Sequence, residues 1–494
     1  MDRKVLLIAT NQTEACGLRY LASSLSIDNI KTYIIYYFDG PPENLDILNQ
    51  FIEKNNVGII GISVFSSLKQ TAILITESLK KKYNMPIVWG GPHVNSDPED
   101  AIIYADIIGL HDCEIPFRNL VKKLFKGEDI KDINNFWFKN DNAIIKNPVE
   151  IIEDIDLYPF PDWDTDNKFL IKDGKIEIEK ESPAKNWYRV FCSRGCPFEC
   201  SYCANKVIKM NSGAPSKYYR VRRVDSIILE IENAVRKFPS IRHIAFYDEL
   251  FGVKDKWVEE FCQKYSERIR IPFGLQSNPV ILNTEKIKKL KSAGLKDLGF
   301  GLQTASERMR KIYKRPETLT KIKEMNLIGN KFKIVHQFDI IVDNPLENKE
   351  DLTDTLKYLL TLKKPFLSKT FDLEHLPKTD LTEKLLNERH ITDRDIAGNK
   401  GTQYYAWRID KERLGQKQQG YIIALIQLTG NALIPNWIIK KMLLLDDKNS
   451  DWFKNKVKKI VLNERFYKIS AIINNAVMMR KSLLIKKIIR RLVK

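Results

Sequence analysis

The chain has 494 residues, of which 43% are hydrophobic and 29% charged; this is typical of globular proteins and leaves room for roughly two to four domains. Seven cysteines, four of them between positions 192 and 203, are too few and too clustered for a disulfide-stabilised scaffold and favour metal binding instead. The net charge of +18 is uneven. Residues 401–494 hold 20 Lys and Arg against 6 Asp and Glu, so the basic character belongs to the C-terminal part and is not global.

Residues 1–145 alternate between short apolar segments and amphipathic segments. Short apolar strands separated by helices predict a doubly wound, mostly parallel sheet, and therefore a Rossmann-like α/β domain. Ligands of such sheets bind at the carboxyl ends of the strands. No signal peptide is expected, because the first predicted strand begins at Val5. The predicted strands are 5–9, 32–37, 57–64, 86–91 and 106–110, and the predicted helices are 17–25, 69–83 and 115–125.

Residues 146–186 have a weaker pattern and are predicted to form a linker. A second strand–helix series follows over residues 187–395. Six strand–helix units predict a parallel partial barrel, of the (β/α)6 type, that is open on one side. The predicted strands are 188–191, 241–247, 273–276, 297–301, 333–342 and 368–373, and the predicted helices are 224–237, 256–268, 283–293, 306–313 and 348–362.

Residues 396–494 are predicted to form a basic, helical C-terminal domain. The stretch 418–439 carries no charged side chain and is about as long as a membrane span, but polar residues and Pro435 interrupt it. This pattern favours a pair of buried helices around Gly430 over a membrane span. The end of the chain, residues 478–494, interleaves apolar residues with Lys and Arg. Such a helix can bind an anionic membrane or an acidic partner. It is equally typical of a helix that packs its apolar face on the protein core and exposes its basic face to solvent.

Cys196, Cys200 and Cys203 form a CxxxCxxC motif directly after the first strand of the second series. Three thiolates can hold three irons of a 4Fe–4S cube and leave the fourth iron open for a small ligand. The alternatives are a zinc site with a distant fourth ligand, or a chance grouping; the chain has no second CxxC-type pair. Cys192 ends an apolar run and is interpreted as a buried strand residue.

This motif, with an aromatic residue at position 202, resembles the signature of radical S-adenosylmethionine (SAM) enzymes. Segments 246–251, 299–307 and 338–347 resemble further family elements in the expected order, so that the resemblance spans about residues 186–375. It implies a 4Fe–4S cluster whose open iron binds the amino and carboxylate groups of SAM. An electron from the cluster then cleaves SAM to a 5′-deoxyadenosyl radical.

The same resemblance implies a set of SAM contacts, namely Tyr202, Asp248, Glu249, Ser277 and Gln303. Tyr202 takes the aromatic position near the adenine, and Asp248 or Glu249, after the second strand, would bind the ammonium group. Gln303 replaces the more usual Glu and carries no charge, and Ser277 ends the third strand, where many relatives have Arg. From the residues alone, Asp248 and Glu249 also fit two solvent-facing carboxylates that open a helix. No catalytic residue is assigned beyond the cluster.

Residues 1–145 resemble the cobalamin-binding domain that precedes many radical SAM cores. The candidate cobalamin contacts are Ser63, Gly90, Gly91 and His93. A glycine pair at a strand end lets the backbone approach a large ligand, and Ser63 can hydrogen-bond to one. The Asp-x-His-x-x-Gly motif is absent, so the cobalt would lack a histidine ligand from that loop. A Rossmann-like domain that kept the fold and lost the ligand is the alternative, with His93 as a surface residue.

The resemblance implies an enzyme that methylates an unactivated carbon, with a deoxyadenosyl radical that removes hydrogen and a methylcobalamin that supplies the methyl group. The alternatives are radical cyclisation, carbon–carbon coupling or rearrangement of a small-molecule or lipid substrate and, from another class, an iron–sulfur regulatory or redox-sensing protein. The expected partners are the substrate and a reductant such as flavodoxin or ferredoxin; nucleic acid is not expected. The expected location is the cytoplasm, and peripheral association with the inner face of the membrane through the basic C-terminus stays open.

Overall fold

The computed structural model describes residues 3–10, 15–37, 45–140, 143–399 and 419–444, together with positions 457, 469, 470, 472 and 474. The elements of the N-terminal part are β1 (Lys4–Ala9), α1 (Cys16–Ser26), β2 (Thr32–Tyr37), α2 (Asp46–Asn55), β3 (Val57–Ser63), α3 (Lys69–Lys80), β4 (Ile87–Gly90), α4 (Pro92–Ser96), α5 (Pro98–Tyr104), β5 (Ile107–Gly109), α6 (Glu114–Lys126), β6 (Phe136–Asn140), β7 (Ala143–Lys146), β8 (Lys168–Lys172) and β9 (Lys175–Ile178).

These strands form one nine-stranded sheet in the order β7-β6-β5-β4-β3-β1-β2-β8-β9. Strands β5, β4, β3, β1, β2 and β8 run parallel, and β6, β7 and β9 add antiparallel edges. Val5 to Ala9 are all buried, because helices cover both faces of the sheet and a central parallel strand must be apolar on each side. The predicted Rossmann-like fold is confirmed. From β1 the chain adds β2 on one side of the sheet, and β3, β4 and β5 then follow on the other side. This switch in strand order, between β1 and β3, is where such sheets bind ligands.

The segment predicted as a linker, 146–186, contributes to this sheet. Strands β8 and β9 extend the edge next to β2. Their longest apolar run, residues 169–171, is short and flanked by lysines. One of these lysines, Lys168, is nevertheless buried, with its ammonium 2.7 Å from Asp162 Oδ2. The linker prediction is therefore wrong for the part of this segment that forms β8 and β9 in the N-terminal sheet. The remainder connects that sheet to the next domain.

The second domain carries the strand–helix series. Its elements are β10 (Trp187–Val190), β11 (Ser193–Arg194), α7 (Ala204–Asn211), β12 (Arg220–Val221), α8 (Val224–Lys237), β13 (His243–Phe246), α9 (Asp255–Arg268), β14 (Phe273–Ser277), α10 (Thr284–Ala293), β15 (Leu295–Gln303), α11 (Glu307–Tyr313), α12 (Leu319–Lys331), β16 (Val335–Val342), α13 (Lys349–Leu359), β17 (Leu367–Asp372) and α14 (Asp380–Asn387).

Six of these strands form a parallel sheet in chain order, β10-β13-β14-β15-β16-β17. Within the described ranges β10 and β17 do not pair, so the barrel is partial, as predicted. Its core packs the outward strand residues, such as Phe300 and Phe338, against the apolar faces of the surrounding helices. Polar residues start several of these helices; Asn348 and Asp351, for example, cap α13 reciprocally. All six strands direct their carboxyl ends to one side of the domain.

Two further helices, α15 (Gly420–Leu428) and α16 (Asn436–Leu444), lie within the predicted C-terminal domain. Every residue of α15 except Gln427 is buried, and Gln427 Nε2 donates to Thr370 Oγ1 of β17 at 2.6 Å. Two helices therefore flank Gly430, as favoured, and α15 belongs to the core of the barrel domain. The prediction that both are buried is wrong for α16, in which only Ile439 is buried. Among the residues described, no helix is both long enough and apolar enough to cross a membrane. Residues 478–494 lie outside the described residues, so membrane association stays a prediction.

Candidate cofactor-binding site

The cysteine motif lies at the carboxyl end of the barrel, between β10 and α7. Strands β11 and β12 pair antiparallel and fix the start of the loop. Gly195 adopts a φ of +81°, and a Cβ there would come within 2.5 Å of the Tyr218 carbonyl oxygen, so only glycine fits this turn. Cys203 is the residue before the first turn of α7. The local fold thus holds the three cysteines of the motif on one short, constrained loop.

Hydrogen-bond donors face each of the three motif sulfurs. The backbone amide of Phe198 donates to Cys196, and the Asn205 side chain lies 3.7 Å from Cys203 Sγ. Arg315 Nη1 lies 3.5 Å from Cys200 Sγ. Burial raises the pKa of Cys196 to about 11 and that of Cys203 to about 12, so the metal-free thiols are protonated at neutral pH. Binding of iron would release their protons, and the donors would then stabilise the thiolates.

Cys192 occupies a different environment. Its side chain is 2% exposed and packs in the hydrophobic core of the barrel domain. Burial raises the pKa of its thiol well above the usual range. The described residues also contain no group of three His, Cys, Asp or Glu side chains close enough to hold a single metal ion. The zinc alternative therefore finds no ligand set there, whereas a cube takes one cysteine per iron and needs no common meeting point.

Asp248 and Glu249 follow β13, beside the cysteine loop. Asp248 is 3% exposed; Ser193 Oγ donates to its Oδ1 at 2.5 Å, and its Oδ2 has no partner among the described residues. Burial raises the pKa of Asp248 to about 6. Glu249 is solvent-exposed, yet desolvation by neighbouring protein atoms raises its pKa. After burial, the Glu249 charge also raises the pKa of Cys196 and Cys203, so this carboxylate lies near the loop.

The other three candidate SAM contacts lie at neighbouring positions. Gln303 ends β15 with a φ of +61°, where the pairing with β16 shifts register, and its amide lies over Gly301. Such left-handed backbone is rare for a residue other than glycine and often marks a functional position. Tyr202 stacks edge-on against Tyr313, with ring centroids 5.2 Å apart. Ser277 is buried and donates to the Phe251 carbonyl at 3.0 Å, so its hydroxyl serves the fold.

A separate cavity of about 150 Å³ lies at the carboxyl ends of β1, β3 and β4, where the strand order of the sheet switches from one side to the other. Ser63, Gly90 and Gly91 line it, as expected from the sequence. Gly91 has a φ of +102°, and a Cβ there would lie 3.0 Å from the Val64 backbone. A Cβ on Gly90, by contrast, would meet only the Gly109 carbonyl oxygen at 4.0 Å and would point into open space. The glycines therefore form a cradle that larger residues would fill.

The histidine of this cavity is His111, since His93 does not line it. His93 is 1% exposed and both ring nitrogens are engaged, with Ser66 Oγ at 3.2 Å and Asp100 Oδ2 at 2.9 Å. The structure thus places His93 in a buried polar cluster, neither on the surface nor at the cavity. His111 Nε2 is buried and has no hydrogen-bond partner among the described residues.

Residues 3–121 match the B12 binding domain family, and residues 190–359 match the Radical SAM superfamily. The chain contains a B12-binding domain followed by a radical SAM domain. The first match covers the sheet with the glycine-lined cavity. The second begins at the end of β10, just before the cysteine loop, and extends through α13. The two domains imply three cofactors: a 4Fe–4S cluster, SAM and cobalamin.

Three similar proteins each cover more than two thirds of this chain. The uncharacterized methyltransferase PH0819 of Pyrococcus horikoshii is 25% identical over 351 residues, which are 69% of this chain and 72% of the relative. The cobalamin-dependent SAM radical enzyme OxsB with aqua-cobalamin bound gives a TM-score of 0.63 at 15% identity, covering 98% of this chain and 80% of OxsB. The radical SAM methyltransferase TsrM of Kitasatospora setae, with tryptophan substrate and a SAM analog, gives 0.62 at 13% identity, with coverages of 78% and 76%. These structural likenesses establish the fold.

The residues present in this radical SAM protein fit the implied groups. Three thiols, of which that of Cys200 is buried and those of Cys196 and Cys203 are half-buried, each face a hydrogen-bond donor and suit a cube with one open iron. The glycine cradle, with the unpartnered His111 Nε2 at its edge, suits the nucleotide part of cobalamin. A cavity of about 150 Å³ has room for a fused two-ring base but not for the corrin macrocycle, which would remain outside, toward the barrel.

An ion cluster with two buried and two half-buried members joins the B12-binding domain to the cysteine loop of the radical SAM domain. Arg194 Nη1 lies 2.7 Å from Asp112 Oδ1, and its Nη2 lies 2.5 Å from Glu114 Oε1. Arg220 reaches the other oxygen of Asp112 at 2.6 Å. Although burial alone would raise it, the two arginines hold the pKa of Asp112 down at about 2. Arg194 also lies 4.5 Å from the Tyr158 ring centroid, so the link is rigid on several sides.

Sequence reasoning missed the arginines and a buried glutamate of this site. Arg194 lies two residues before Cys196 and joins the two domains, as described above. Arg315 follows α11 and reaches the cysteine loop from more than 100 residues away, with Glu317 as its ion-pair partner. No spacing rule connects such distant positions. The one available signal was the high density of charge in the run 308–317, which holds three arginines, two lysines and one glutamate.

Proposed function

We propose that this protein is a cobalamin-dependent radical SAM methyltransferase that transfers a methyl group to an unactivated carbon. The observation that carries the proposal is the direct link between the two cofactor sites. Arg194 leads into the cysteine loop, and its partner Glu114 lines the glycine cavity together with Cys113. A methyl carrier and a radical source can act on one carbon only if both are held at a fixed separation.

The cluster, when bound, would supply the electron that cleaves SAM, and cobalamin would carry the methyl group. The chain's own residues hold these groups in place. Cys196, Cys200 and Cys203 would bind three irons. The buried Asp248 carboxylate, which accepts a hydrogen bond from Ser193, would also accept hydrogen bonds from the SAM ammonium group. Glu249 is the next residue along the chain. The protein thereby fixes the orientation of SAM and excludes water from it.

Cobalamin would enter through its nucleotide tail. Ser63 and His111 would offer polar contacts at the cavity, and Gly90 and Gly91 would let the tail lie against the backbone. The cobalt would have no histidine ligand from residues 12–18, because that segment contains none.

Asp248→Asn is expected to weaken SAM binding by about 1–3 kcal/mol, because the charged acceptor for the ammonium group is lost while the shape is kept. Isothermal titration of the cluster-loaded protein with SAM measures this. Glu260→Gln, which removes an exposed carboxylate from α9, is the matched control and should bind SAM as the wild type does. Unchanged affinity in Asp248→Asn would remove the end of β13 from the SAM site.

Gly90→Val is expected to lower the corrinoid content of the purified protein at least tenfold, since the added methyl groups fill the cavity without displacing protein atoms. The visible absorption spectrum and cobalt content, after expression with a cobalamin supply, report the change. Gly127→Ala, at the end of α6 and outside the cavity, controls for backbone strain because Gly127 has a φ of +74°. Wild-type corrinoid content in Gly90→Val would show that the cavity does not hold cobalamin.

The reaction type is tested by the mass of the product. Incubation of the reduced, cofactor-loaded protein with SAM and a metabolite extract, including lipids, should yield a species heavier by one CH₂ unit, labelled when the SAM methyl group carries deuterium. A product lighter by two hydrogen atoms, or an isomer without the label, would indicate radical cyclisation, coupling or rearrangement instead. A low-potential one-electron donor, such as flavodoxin or ferredoxin, completes the proposed set of partners.

A further inference from the structure

Arg315 is anchored at four points beside the cysteine loop. Its Nη1 donates to Tyr202 OH at 2.8 Å and lies 3.5 Å from Cys200 Sγ. Its Nη2 donates to the Gly301 carbonyl oxygen of β15, and its Nε donates to Glu317 Oε1 at 2.8 Å. The side chain is only 6% exposed. The guanidinium therefore has one position, fixed by the barrel wall on one side and the cysteine loop on the other.

The charge around Arg315 is not balanced. Arg310 and Arg315 share the single carboxylate of Glu317, whose side chain is fully buried, and Asn278 Nδ2 donates to its second oxygen at 3.0 Å. Two guanidinium groups against one carboxylate leave a net positive charge next to Cys200. Because the group is buried, water and salt screen this charge weakly.

We propose that Arg315 is a positioning residue that sets the reduction potential of the 4Fe–4S cluster through its charge and its contact with Cys200. The inference rests on the proposed function, because it requires that Cys200 binds the cluster. Reduction moves one electron from a low-potential one-electron donor onto the cluster; no bond breaks and no proton moves. The cluster thereby gains one negative charge. A fixed cation and an N–H donor at a ligand sulfur stabilise that added charge and raise the potential.

The residue type supports this role. A guanidinium presents a planar fork of donors and stays charged at all physiological pH values, so it can hold Tyr202, Gly301, Glu317 and a ligand sulfur at once. A lysine in this position would keep the charge and lose the fork. Arg315 also links the loop that holds Cys200 to the strand end that holds Gln303, since the Gly301 carbonyl belongs to β15. The cluster and a candidate SAM contact are thus tied to the same cation.

The test is an EPR-monitored redox titration of the full chain, reconstituted anaerobically and without SAM or substrate. Arg315→Gln should lower the midpoint potential, so that the ratio of reduced to oxidised cluster at a fixed potential falls roughly tenfold. Arg315→Lys should retain most of the wild-type potential. Glu317→Gln should shift the potential the opposite way, to a higher value, because the counter-charge of Arg315 is lost. Lys311→Gln removes an exposed charge from α11 and should change nothing.

Opposite shifts in Arg315→Gln and Glu317→Gln cannot come from a general loosening of the loop. A potential that is unchanged in either of these variants, or lowered in both, would overturn the electrostatic role. If Arg315→Gln does not load a cluster, the rise expected in Glu317→Gln and the retention expected in Arg315→Lys decide the question. A wild-type protein that binds no 4Fe–4S cluster would overturn the proposed function itself, and this inference with it.

Discussion

Replacing Cys196, Cys200 or Cys203 singly by Ala is expected to abolish the 4Fe–4S cluster and all cleavage of SAM. Each sulfur would bind a different iron, and the loop offers no substitute: the next cysteine, Cys192, is buried in the core. Iron and sulfide analysis with EPR of the reduced protein measures cluster content, and release of 5′-deoxyadenosine measures cleavage. Both should fall to background together.

Cys192→Ala is the matched control, because it removes a thiol from the same segment without touching the motif. It should retain the cluster and lose only about 1 kcal/mol of folding free energy, the cost of a small core truncation. Loss of iron in Cys192→Ala would show that the ligand assignment is wrong. Retention of a full cluster in any of the three motif variants would contradict it equally.

Arg194→Met is expected to lower the free energy of unfolding by about 3–5 kcal/mol, because Asp112 and Glu114 would be left buried without their main counter-charge. Urea denaturation of the metal-free protein, followed by circular dichroism, measures the loss. Arg223→Met is the matched control: Arg223 also pairs with a buried aspartate but is itself 73% exposed, and its removal should cost about 1 kcal/mol or less. Equal losses in the two variants would show that the interdomain cluster contributes little.

The difference in unfolding free energy between wild type and Arg194→Met should depend on pH in one direction. The folded pKa of Asp112, about 2, lies below the value of about 3.9 for an unfolded aspartate. Its stabilising contribution is therefore fully present above about pH 4 and is lost as the pH falls toward 2. The difference in stability between wild type and Arg194→Met should narrow over that interval. A constant difference down to pH 2 would show that the Asp112 charge is not what Arg194 stabilises.

Local patterns account for what the sequence predicts well. The apolar runs of β1 and β3 and the amphipathic period of α8 are properties of neighbouring residues, and the predicted bounds of α8 coincide with those observed. The cysteine motif is also local. The order of elements then limits the topology, because strands joined by helices must run parallel. Both domains and their cofactor classes therefore follow from the amino-acid sequence.

What could not be inferred depends on long-range packing. The strands β8 and β9 are short and rich in charged residues, with one apolar run of three residues at 169–171, and β8 joins the sheet by pairing with β2. His93 follows a Gly-Gly-Pro turn that suggested a cofactor contact, but α4 turns it inward toward Ser66 and Asp100. The Arg315–Glu317 pair and the Arg194–Asp112 link join residues that only the tertiary fold brings together.

The most direct test of the central claim is the fate of SAM at the reduced cluster. The full chain, reconstituted anaerobically with iron, sulfide and cobalamin, is mixed with SAM and a low-potential reductant, and the products are separated by liquid chromatography with mass detection. We predict release of 5′-deoxyadenosine that requires the reductant and disappears in Cys200→Ala. Intact SAM in the presence of a fully reduced 4Fe–4S cluster, as shown by EPR on the same sample, would contradict the assignment of radical chemistry to this protein.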